Sequence, residues 1–294
     1  MLRSLLFAPG DSEKKMLKAS VIGSDCVILD LEDSVAEARK PLAREMVRDF
    51  LKSKDDSSVK FYVRVNPLDS GMILSDLATV IPAAPDGIVF PKSNGLDDVV
   101  CVSHYIDVLE VEHAITQGSI AMLPLISETA AAIFTMGQYV NSPKRVSSLT
   151  WGAEDLGAAV GASANTLPNK DWTAPYQMTR SLCLFAAHAA QVQAIDTVMA
   201  DFSDLEQLRL VCDDARRDGF TGKICIHPAQ VEVINEAFSP STVELSHAKA
   251  VIEAFANNPE AGTLQIDGKM IDKPHLVLAE RVMALAEQID SRNA

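Results

Sequence analysis

Acidic side chains stand where an apolar segment ends, in positions where they could do chemistry. Asp30 lies within the apolar segment Val27–Leu31, and Glu32 and Asp33 follow that segment directly. The chain therefore has three carboxylates within four residues. By the two-residue period of a strand, Asp30 and Glu32 share one face and Asp33 points to the other. Carboxylates this close repel one another unless cations or protons lie among them. Asp33 or Ser34 could equally cap a following helix, an explanation that fits Asp30 and Glu32 less well.

Two basic side chains, Arg64 and Lys92, also lie within or directly after apolar segments. Arg64 lies inside the apolar run 60–66, where an unpaired buried guanidinium is very unfavourable. It therefore needs an anionic partner. That partner is either Asp30 or Glu32 in a structural ion pair, or a carboxylate or developing enolate oxygen of a ligand. Lys92 follows another apolar run and is either a cation of the same site or a surface lysine.

Two further acids, Glu128 and Asp155, follow neighbouring predicted strands. Because parallel strand ends meet at one face of a barrel, we expect their carboxylates to approach each other. Such an oxygen-only pair, with positions left open for water and substrate, suits Mg²⁺, and Mn²⁺ would also fit. Ser127 could instead cap a helix, with the neighbouring acids supporting the helix dipole. The small residues of segment 152–157 would let backbone N–H groups approach an anionic substrate group.

Two more candidates lie in the last third of the chain. Asp272 stands directly before a helix predicted to begin near Pro274, so it is either a capping residue or a functional acid. His227 ends the last predicted strand and is interpreted as a structural histidine. No HExxH zinc motif is present among the six histidines.

The elements that must position these side chains alternate between two patterns. Short apolar runs that end in loop signals predict strands at Leu2–Ala8, Cys26–Leu31, Lys60–Asn66, Gly87–Pro91, Ser119–Ile126, Ser147–Gly152, Ala194–Ala200 and Lys223–Ile226. Helical periodicity separates them, including Glu13–Val21, Lys40–Leu51, Glu128–Tyr139, Ala174–Gln193 and Leu205–Arg217. Eight strands alternating with helices predict an α/β fold, a (β/α)8 TIM barrel. An open doubly wound sheet is the alternative, but the Gly-rich dinucleotide fingerprint is absent.

The pattern changes after the eighth strand. Helical segments are predicted at 228–238 and 241–256, and the last helix carries an apolar stripe of Leu278, Val282, Leu285 and Ile289. We therefore predict a barrel over residues 1–227 and a C-terminal helical extension over 228–294. The stripe must cover either its own barrel or a neighbouring subunit.

Composition excludes several classes of protein. The 294 residues carry 26 Lys plus Arg against 40 Asp plus Glu, a formal net charge of −14. That balance argues against a nucleic-acid-binding protein, which needs a basic face. No apolar run approaches the ~20 residues of a membrane span, and the start does not resemble a signal peptide. The five cysteines form no CxxC pair, so we expect reduced core thiols and a cytoplasmic location.

The motifs occur in an order that is typical of one family. They are Arg3-Ser4-Leu5-Leu6-Phe7-Ala8-Pro9-Gly10, Leu29-Asp30-Leu31-Glu32-Asp33-Ser34-Val35, Val63-Arg64-Val65-Asn66, Pro91-Lys92, Gly152-Ala153-Glu154-Asp155, Phe220-Thr221-Gly222-Lys223 followed by His227-Pro228, and Asp267-Gly268-Lys269-Met270-Ile271-Asp272. Over essentially the whole chain, this ordered set resembles the citrate lyase β-subunit-like family, relatives of malyl-CoA and citramalyl-CoA lyases. One departure is Ser127, where the family usually has an apolar residue or Thr.

The resemblance implies a barrel whose C-terminal segment is exchanged between subunits of a homotrimer or larger assembly. It also implies roles for individual residues. Arg64 would face the substrate oxygens, and Asp272 would be an acid donated by a neighbouring subunit. Glu32 and Asp30 would support these groups. Glu128 and Asp155 would be the Mg²⁺ ligands. Binding roles fall to Glu154, Asp155 and Leu156 at the substrate, and to Arg3, Pro9 and Lys92 at the CoA thioester.

The implied reaction is Mg²⁺-dependent cleavage or formation of a C–C bond beside an acyl thioester. A malyl-, citramalyl- or citryl-CoA would yield a 2-oxo acid and the enolate of an acetyl thioester, stabilised electrostatically by Arg64. Alternatives are a citrate lyase β subunit acting on an acyl-carrier-protein thioester, malate-synthase-like condensation, and thioester hydrolysis. A non-catalytic scaffold is disfavoured by the intact set of Arg64, Glu128, Asp155 and Asp272.

Overall fold

Eight parallel strands form the main sheet of the computed structural model, which describes residues 1–54 and 58–293. They are Ser4–Pro9 (β1), Cys26–Asp30 (β2), Lys60–Arg64 (β3), Gly87–Phe90 (β4), Ala121–Pro124 (β5), Ser148–Thr150 (β6), Gln193–Asp196 (β7) and Gly222–Cys225 (β8). Their order is β5-β4-β3-β2-β1-β8-β7-β6. Parallel bridges between Met122 and Val146 and between Leu125 and Thr150 join β5 to β6 and close the ring. The predicted TIM barrel is confirmed.

Helices follow most strands and cover the outside of the barrel. They are Glu13–Ser20 (α1), Lys40–Ser53 (α2), Ile73–Val80 (α3), Leu96–Glu112 (α4), Ala153–Val160 (α5), Ala174–Ala189 (α6), Leu205–Asp218 (α7) and Ala229–Ala237 (α8). In α2, Ala43, Val47, Phe50 and Leu51 are buried, which is the spacing of a single helix face. Residues that repeat in this way bury one side of the helix and leave the other to solvent.

The interior of the barrel is apolar. Alternate strand residues point inward and form one buried cluster that includes Leu5, Cys26, Ile28, Val89 and Ile195. All five cysteines are free, and four of them are buried, so they behave as core thiols.

Two expectations about elements need correction. A helix was expected to begin at Glu128, but the regular turns begin only at Ala132 and form a 3₁₀ helix, Ala132–Asn141. Residues 128–131 form a bend and a turn instead, and Ser127 and Glu128 accept hydrogen bonds from backbone N–H groups of neighbouring loops. The helical segments named from the sequence also leave out α3, α4 and α5.

A second compact unit contains Met1 and residues 236–294. It is built from Thr242–Asn257 (α9), the antiparallel strands Thr263–Ile266 (β9) and Lys269–Asp272 (β10), and Lys273–Asn293 (α10). A capping box of Ser241 and Glu244 begins α9. Between the two strands, Asp267 and Gly268 have φ values of 50° and 77°, as the two-residue hairpin turn requires.

The packed face of α10 differs from the predicted stripe. Ala279 is buried, and Leu276, Val282 and Met283 pack beside it in a cluster that includes Val251 and Phe255 of α9. Leu278 is 57% exposed, because it lies on a different side of the helix from this cluster. No helix in the described part of the chain is long and apolar enough to span a membrane.

Gly222 provides a test of the barrel closure between β1 and β8. A Cβ at this position would lie 2.7 Å from the carbonyl oxygen of Arg3 and closer still to that of Leu2. Since both contacts are backbone atoms, we expect Gly222→Ala to lower the free energy of unfolding by about 1–3 kcal/mol. Chemical denaturation measures this change.

Gly137→Ala is the matched control, because no heavy atom lies within 4 Å of a Cβ there. An equal effect of the two substitutions would show that the close approach at Gly222 is not what limits stability.

Candidate active site

A cavity of about 400 Å³ opens at the carboxyl ends of the strands, where side chains from several of them meet. Its charged lining is Asp30, Asp33, Arg64, Glu128, Glu154 and Asp155, and its apolar lining includes Phe7, Pro9, Leu125, Trp151, Val198 and Ile224. A volume of this size, apolar over most of its wall with a few convergent polar groups, is typical of a small-molecule site.

Arg64 is held by Asp30, its direct neighbour in the β2–β3 register. The Nε and Nη2 atoms of Arg64 each donate to one carboxylate oxygen of Asp30 at 2.7 Å. The guanidinium also lies over the ring of Phe7, with Cζ 4.5 Å from the ring centroid. Burial disfavours the Asp30 charge, but the hydrogen bonds and charge of Arg64, together with the hydrogen bonds from Ser34 and Glu32, keep the Asp30 pKa below its ordinary value. The structural ion pair is therefore present, and Arg64 still lines the cavity.

Asp30 also shapes the loop that carries the neighbouring acids. Its carboxylate accepts hydrogen bonds from the backbone N–H groups of Glu32 at 2.9 Å and Ser34 at 3.0 Å. These bonds turn the chain away from the strand ladder at Leu31. Neither Asp33 nor Ser34 caps a following α-helix, because α2 begins only at Lys40.

Glu32 lies between the two cations of the site. Its Oε2 atom is 3.0 Å from Nη1 of Arg64, and its Oε1 atom accepts a hydrogen bond from Nζ of Lys92 at 2.5 Å. Burial raises the pKa of Glu32 to about 7, although both cations oppose that rise. The supporting carboxylate is thus embedded in an ion-pair network.

Lys92 connects both acidic strand ends, so the surface-lysine interpretation is wrong. Its side chain is 29% exposed, and Nζ is 3.3 Å from Asp155 and 3.6 Å from Asp33. Its backbone has a φ of 53°, in the left-handed region. The backbone N–H donates to Oε2 of Glu128 at 2.6 Å.

Glu128 is the most deeply buried acid of the pair that was predicted to bind a metal. Burial raises its pKa to about 8, and the charge of Asp155, in the first turn of α5, adds to that rise. Gly152 allows the close packing, because a Cβ there would lie 2.7 Å from Cγ of Glu128. Ser127 does not cap a helix. Its Oγ accepts the N–H of Gly152 at 3.0 Å and joins the fifth and sixth strand ends.

The donor set fits a divalent cation that prefers oxygen. Glu128 and Asp155 disfavour each other's charge, and a cation between them would remove that repulsion. The described residues contain no group of three or more His, Cys, Asp or Glu side chains that could hold a metal ion. The protein would therefore supply two carboxylates and leave the remaining positions to water and substrate, as Mg²⁺ sites commonly do.

The other residues predicted to bind the substrate or the thioester differ in whether they line the cavity. Glu154 lines the cavity but is exposed and bonded to Asn165 at 2.9 Å. Leu156 is buried in α5 and is not among the residues that line the cavity, so direct substrate contact by its side chain is not supported. Pro9 lines the cavity at the end of β1.

Arg3 is not brought to the cavity. It precedes β1 at the amino-terminal face of the barrel, and Nε and Nη2 bind Asp25 at 2.9 and 2.8 Å. The cavity lies at the opposite strand ends, so the thioester contact predicted for Arg3 is not supported by its position.

Asp272 and His227 have local partners. Asp272, in the C-terminal unit, is the last residue of β10, and Oδ1 is 2.5 Å from Nδ1 of His275. His227 stacks on Phe202 with ring centroids 4.6 Å apart, and Nδ1 accepts the N–H of Ala229 at 3.2 Å. These contacts agree with the structural interpretation of His227.

Sequence reasoning missed a buried ion pair in the barrel. Asp196 accepts hydrogen bonds from Lys223 Nζ at 3.0 Å and from Nε1 of Trp151, a cavity residue, at 2.8 Å. Burial opposes the Asp196 charge, but Lys223 and Arg180 outweigh it and lower the pKa. The available signal was one charge at the end of β7 and another inside the apolar strand β8.

Comparison with known proteins agrees with this geometry. Residues 3–228 match the family described as HpcH/HpaI aldolase/citrate lyase. Residues 171–289 match a family described as a C–C bond lyase of the TIM-barrel fold. The chain belongs to the HpcH/HpaI aldolase/citrate lyase family. The resemblance predicted from the motifs is confirmed.

Individual family members resemble the chain over nearly its whole length. A (3S)-malyl-CoA thioesterase of Cereibacter sphaeroides is 33% identical, with 98% of this chain and 95% of the relative covered. A mitochondrial citramalyl-CoA lyase of Rattus norvegicus is 30% identical (99% and 87%), and a citrate lyase β subunit of Haemophilus influenzae is 32% identical (97% and 97%). The solved structure of CitE from Mycobacterium tuberculosis, in complex with magnesium, acetoacetate and coenzyme A, is 31% identical, covers 97% and 98%, and has a TM-score of 0.77.

The raised pKa of Glu128 predicts a pH-dependent stability in the presence of a chelator. Because the folded state holds the Glu128 proton more tightly than the unfolded state, stability falls as pH rises from about 4.5 to about 8. Glu128→Gln removes this titration, so we expect the variant to unfold at a higher temperature than the parent at pH 8. Differential scanning calorimetry from pH 5 to 8 with EDTA measures the difference.

Glu154→Gln is the control, because Glu154 is exposed and keeps an amide partner. A parallel pH profile for the parent and Glu128→Gln would refute the destabilising role of the Glu128 charge.

Proposed function

We propose that the protein is a Mg²⁺-dependent carbon–carbon lyase. It cleaves a short-chain 3-hydroxy-carboxyacyl-CoA, such as malyl-, citramalyl- or citryl-CoA, into an acetyl thioester and a 2-oxo acid, or forms the ester from these two compounds. The observation that carries the proposal is one cavity lined by Glu128, Asp155 and Arg64. Family membership and the names of the relatives support it, as do the magnesium and coenzyme A in the M. tuberculosis structure.

Glu128 and Asp155 would hold the metal ion through their oxygens, and Mn²⁺ could replace Mg²⁺. When bound, the ion supplies Lewis-acid stabilisation of the negative charge that develops on substrate oxygens. Lys92 keeps Asp155 and Glu32 within one network, and its N–H fixes the second oxygen of Glu128. The two ligands are therefore oriented before substrate arrives.

Arg64 supplies a fixed positive charge beside the metal ligands. Since Asp30 already holds the Nε–Nη2 edge of its guanidinium through two hydrogen bonds, Arg64 cannot swing away when the substrate is absent. In our proposal it stabilises the enolate oxygen of the acetyl thioester, a contribution that is often worth about 3–4 kcal/mol in comparable sites. The apolar wall of Phe7, Leu125 and Val198 limits the access of water to that charge.

Asp272 is proposed as the acid that protonates the enolate carbon. In this proposal, the region from residue 228 onward places Asp272 at the site of a neighbouring copy in a homotrimer or larger homo-oligomer. A cytoplasmic location belongs to the same proposal, because five free thiols are typical of a reducing compartment.

Two related activities have support from particular relatives. Hydrolysis of malyl-CoA is favoured by the 33% identity to a (3S)-malyl-CoA thioesterase. Action on an acyl-carrier-protein thioester, within a larger complex, is favoured by the likeness to a citrate lyase β subunit. Each uses the same acyl chemistry, so the products and the carrier of the thioester distinguish them.

Incubation of the isolated protein with malyl-, citramalyl- and citryl-CoA and Mg²⁺ tests the function. We expect a 2-oxo acid and acetyl-CoA from at least one ester, with the 2-oxo acid measured by lactate or malate dehydrogenase coupling. Free CoA with an intact hydroxy acid would identify a thioesterase instead. Release of no product from any ester, with activity only on acyl-carrier-protein thioesters, would favour the citrate lyase role.

Glu128→Ala should abolish activity and reduce Mg²⁺ affinity, because it removes one of two protein ligands. Isothermal calorimetry measures the affinity. Undiminished Mg²⁺ binding by this variant would refute the metal assignment.

Asp272→Asn tests the acid. We expect turnover to fall by about 100-fold or more with Mg²⁺ affinity unchanged, because the substitution removes the transferable proton but not a metal ligand. Steady-state kinetics and calorimetry measure the two quantities. Activity equal to that of the parent would exclude Asp272 from proton transfer.

A further inference from the structure

The carboxyl group of Asp272 is in close contact with an imidazole. Nδ1 of His275, in the first turn of α10, is 2.5 Å from Oδ1 of Asp272 and 3.2 Å from the backbone nitrogen of Asp272. Both side chains are partly exposed, at 33% and 46%. A partly exposed pair can exchange protons with water while the two groups remain together.

The ring nitrogen can serve only one of these two contacts at a time. If Nδ1 carries a proton it donates to Oδ1, and if it does not it accepts either the N–H of Asp272 or a proton held on Oδ1. The contact with the carboxyl oxygen is the shorter by 0.7 Å (3.2 − 2.5). We take His275 in the Nδ1–H form, in which it donates to Oδ1 of Asp272.

We propose that His275 is a positioning residue for Asp272, fixing which carboxyl oxygen carries the transferable proton. With Oδ1 accepting the Nδ1–H, Oδ2 is the oxygen that would carry a transferable proton. This inference rests on the proposed function, in which Asp272 protonates the enolate carbon. In that step the Oδ2–H bond breaks and a C–H bond forms.

The negative charge of the enolate thereby passes to the carboxylate of Asp272. His275 continues to donate to Oδ1, and this hydrogen bond strengthens as the carboxylate forms. Water then returns a proton to Oδ2 for the next cycle. The proton lost from the substrate hydroxyl when the C–C bond breaks enters solvent and balances the one that solvent returns to Oδ2, so no other reactant is needed.

The local backbone keeps this pair in register. Asp272 is paired with Thr263 across the hairpin, and the side chain of Ile271 is buried in the core of the C-terminal unit. Pro274, whose φ is restricted, lies between Asp272 and His275 in the chain, in the first turn of α10. The acid and its donor are therefore both anchored by ordered secondary structure.

A capping role for His275 would have different consequences. In a capping box the side chain at the third helical position accepts the N–H of the residue before the helix, which stabilises the helix but has no effect on proton transfer. The two roles separate in experiment, because capping changes the unfolding temperature and positioning changes kcat.

Three variants of the full-length protein make the test. His275→Ala removes both contacts, and His275→Asn places an amide N–H close to the position of Nδ1. His247→Ala is the matched control, because His247 is an exposed histidine on α9 of the same unit. The measurements are kcat and KM on the ester that the parent cleaves, the unfolding temperature, and deuterium exchange into the methyl group of acetyl-CoA in D₂O.

We expect His275→Ala to lower kcat and the exchange rate by about 10- to 100-fold, with KM, Mg²⁺ affinity and His247→Ala activity unchanged. His275→Asn should recover kcat to within about threefold of the parent, because it restores the donor. A kcat for His275→Ala equal to that of the parent, or a loss matched only by a lower unfolding temperature, would overturn the proposal. Failure of His275→Asn to rescue the exchange rate would overturn it as well.

Asp272→Asn separates this proposal from the proposed function. An inactive Asp272→Asn beside a fully active His275→Ala would reject the role of His275 alone. An active Asp272→Asn would reject the acid assignment on which that role rests.

Discussion

The ion pair between Asp30 and Arg64 organises one side of the cavity. The two residues are directly opposite each other in the register of β2 and β3, so the pair joins two strand ends where the barrel opens. One carboxylate orients the guanidinium and also accepts the two backbone N–H groups that turn the loop carrying Glu32. Loss of either partner leaves a buried charge without its main counter-charge, which typically costs about 3–5 kcal/mol. The position of Glu32, and through it that of Lys92, depends on this pair.

Negative charge exceeds positive charge at this end of the barrel. Glu32, Asp33 and Asp155 surround Lys92, and Glu128 is buried nearby, where the backbone N–H of Lys92 is its only hydrogen-bond donor among the described residues. Such an arrangement is unfavourable in the metal-free protein, because burial and mutual repulsion both act against ionised Glu128. Local violations of ordinary electrostatic preference are expected at functional sites. Part of the excess of acids in the sequence therefore lies where a divalent cation would relieve it.

The sequence predicts the residues at strand ends better than it predicts their partners. Arg64 is identifiable because it interrupts an apolar strand, and Asp30 because strand period and proximity to Glu32 set it apart. Asp196 and Lys223 each stand out as a charge on an apolar strand, but their contact depends on the pairing of β7 with β8, which the sequence pattern does not show. The 3₁₀ segment after Glu128 was also misjudged, because side-chain bonds to Lys92 and Gly152 override the local helical pattern. Long-range hydrogen bonds decide both cases.

Asp272 and His275 represent the opposite situation. Their contact spans three residues, and the hairpin turn, the buried Ile271 and Pro274 that hold it all lie within residues 267–275. The direction of the proposed acid is therefore encoded within one short stretch of the C-terminal unit. Arg64, in contrast, is directed by a residue 34 positions earlier in the chain. In a site assembled from two copies, each copy would present an acid that is oriented before association. Association would then only have to bring that acid to the cavity.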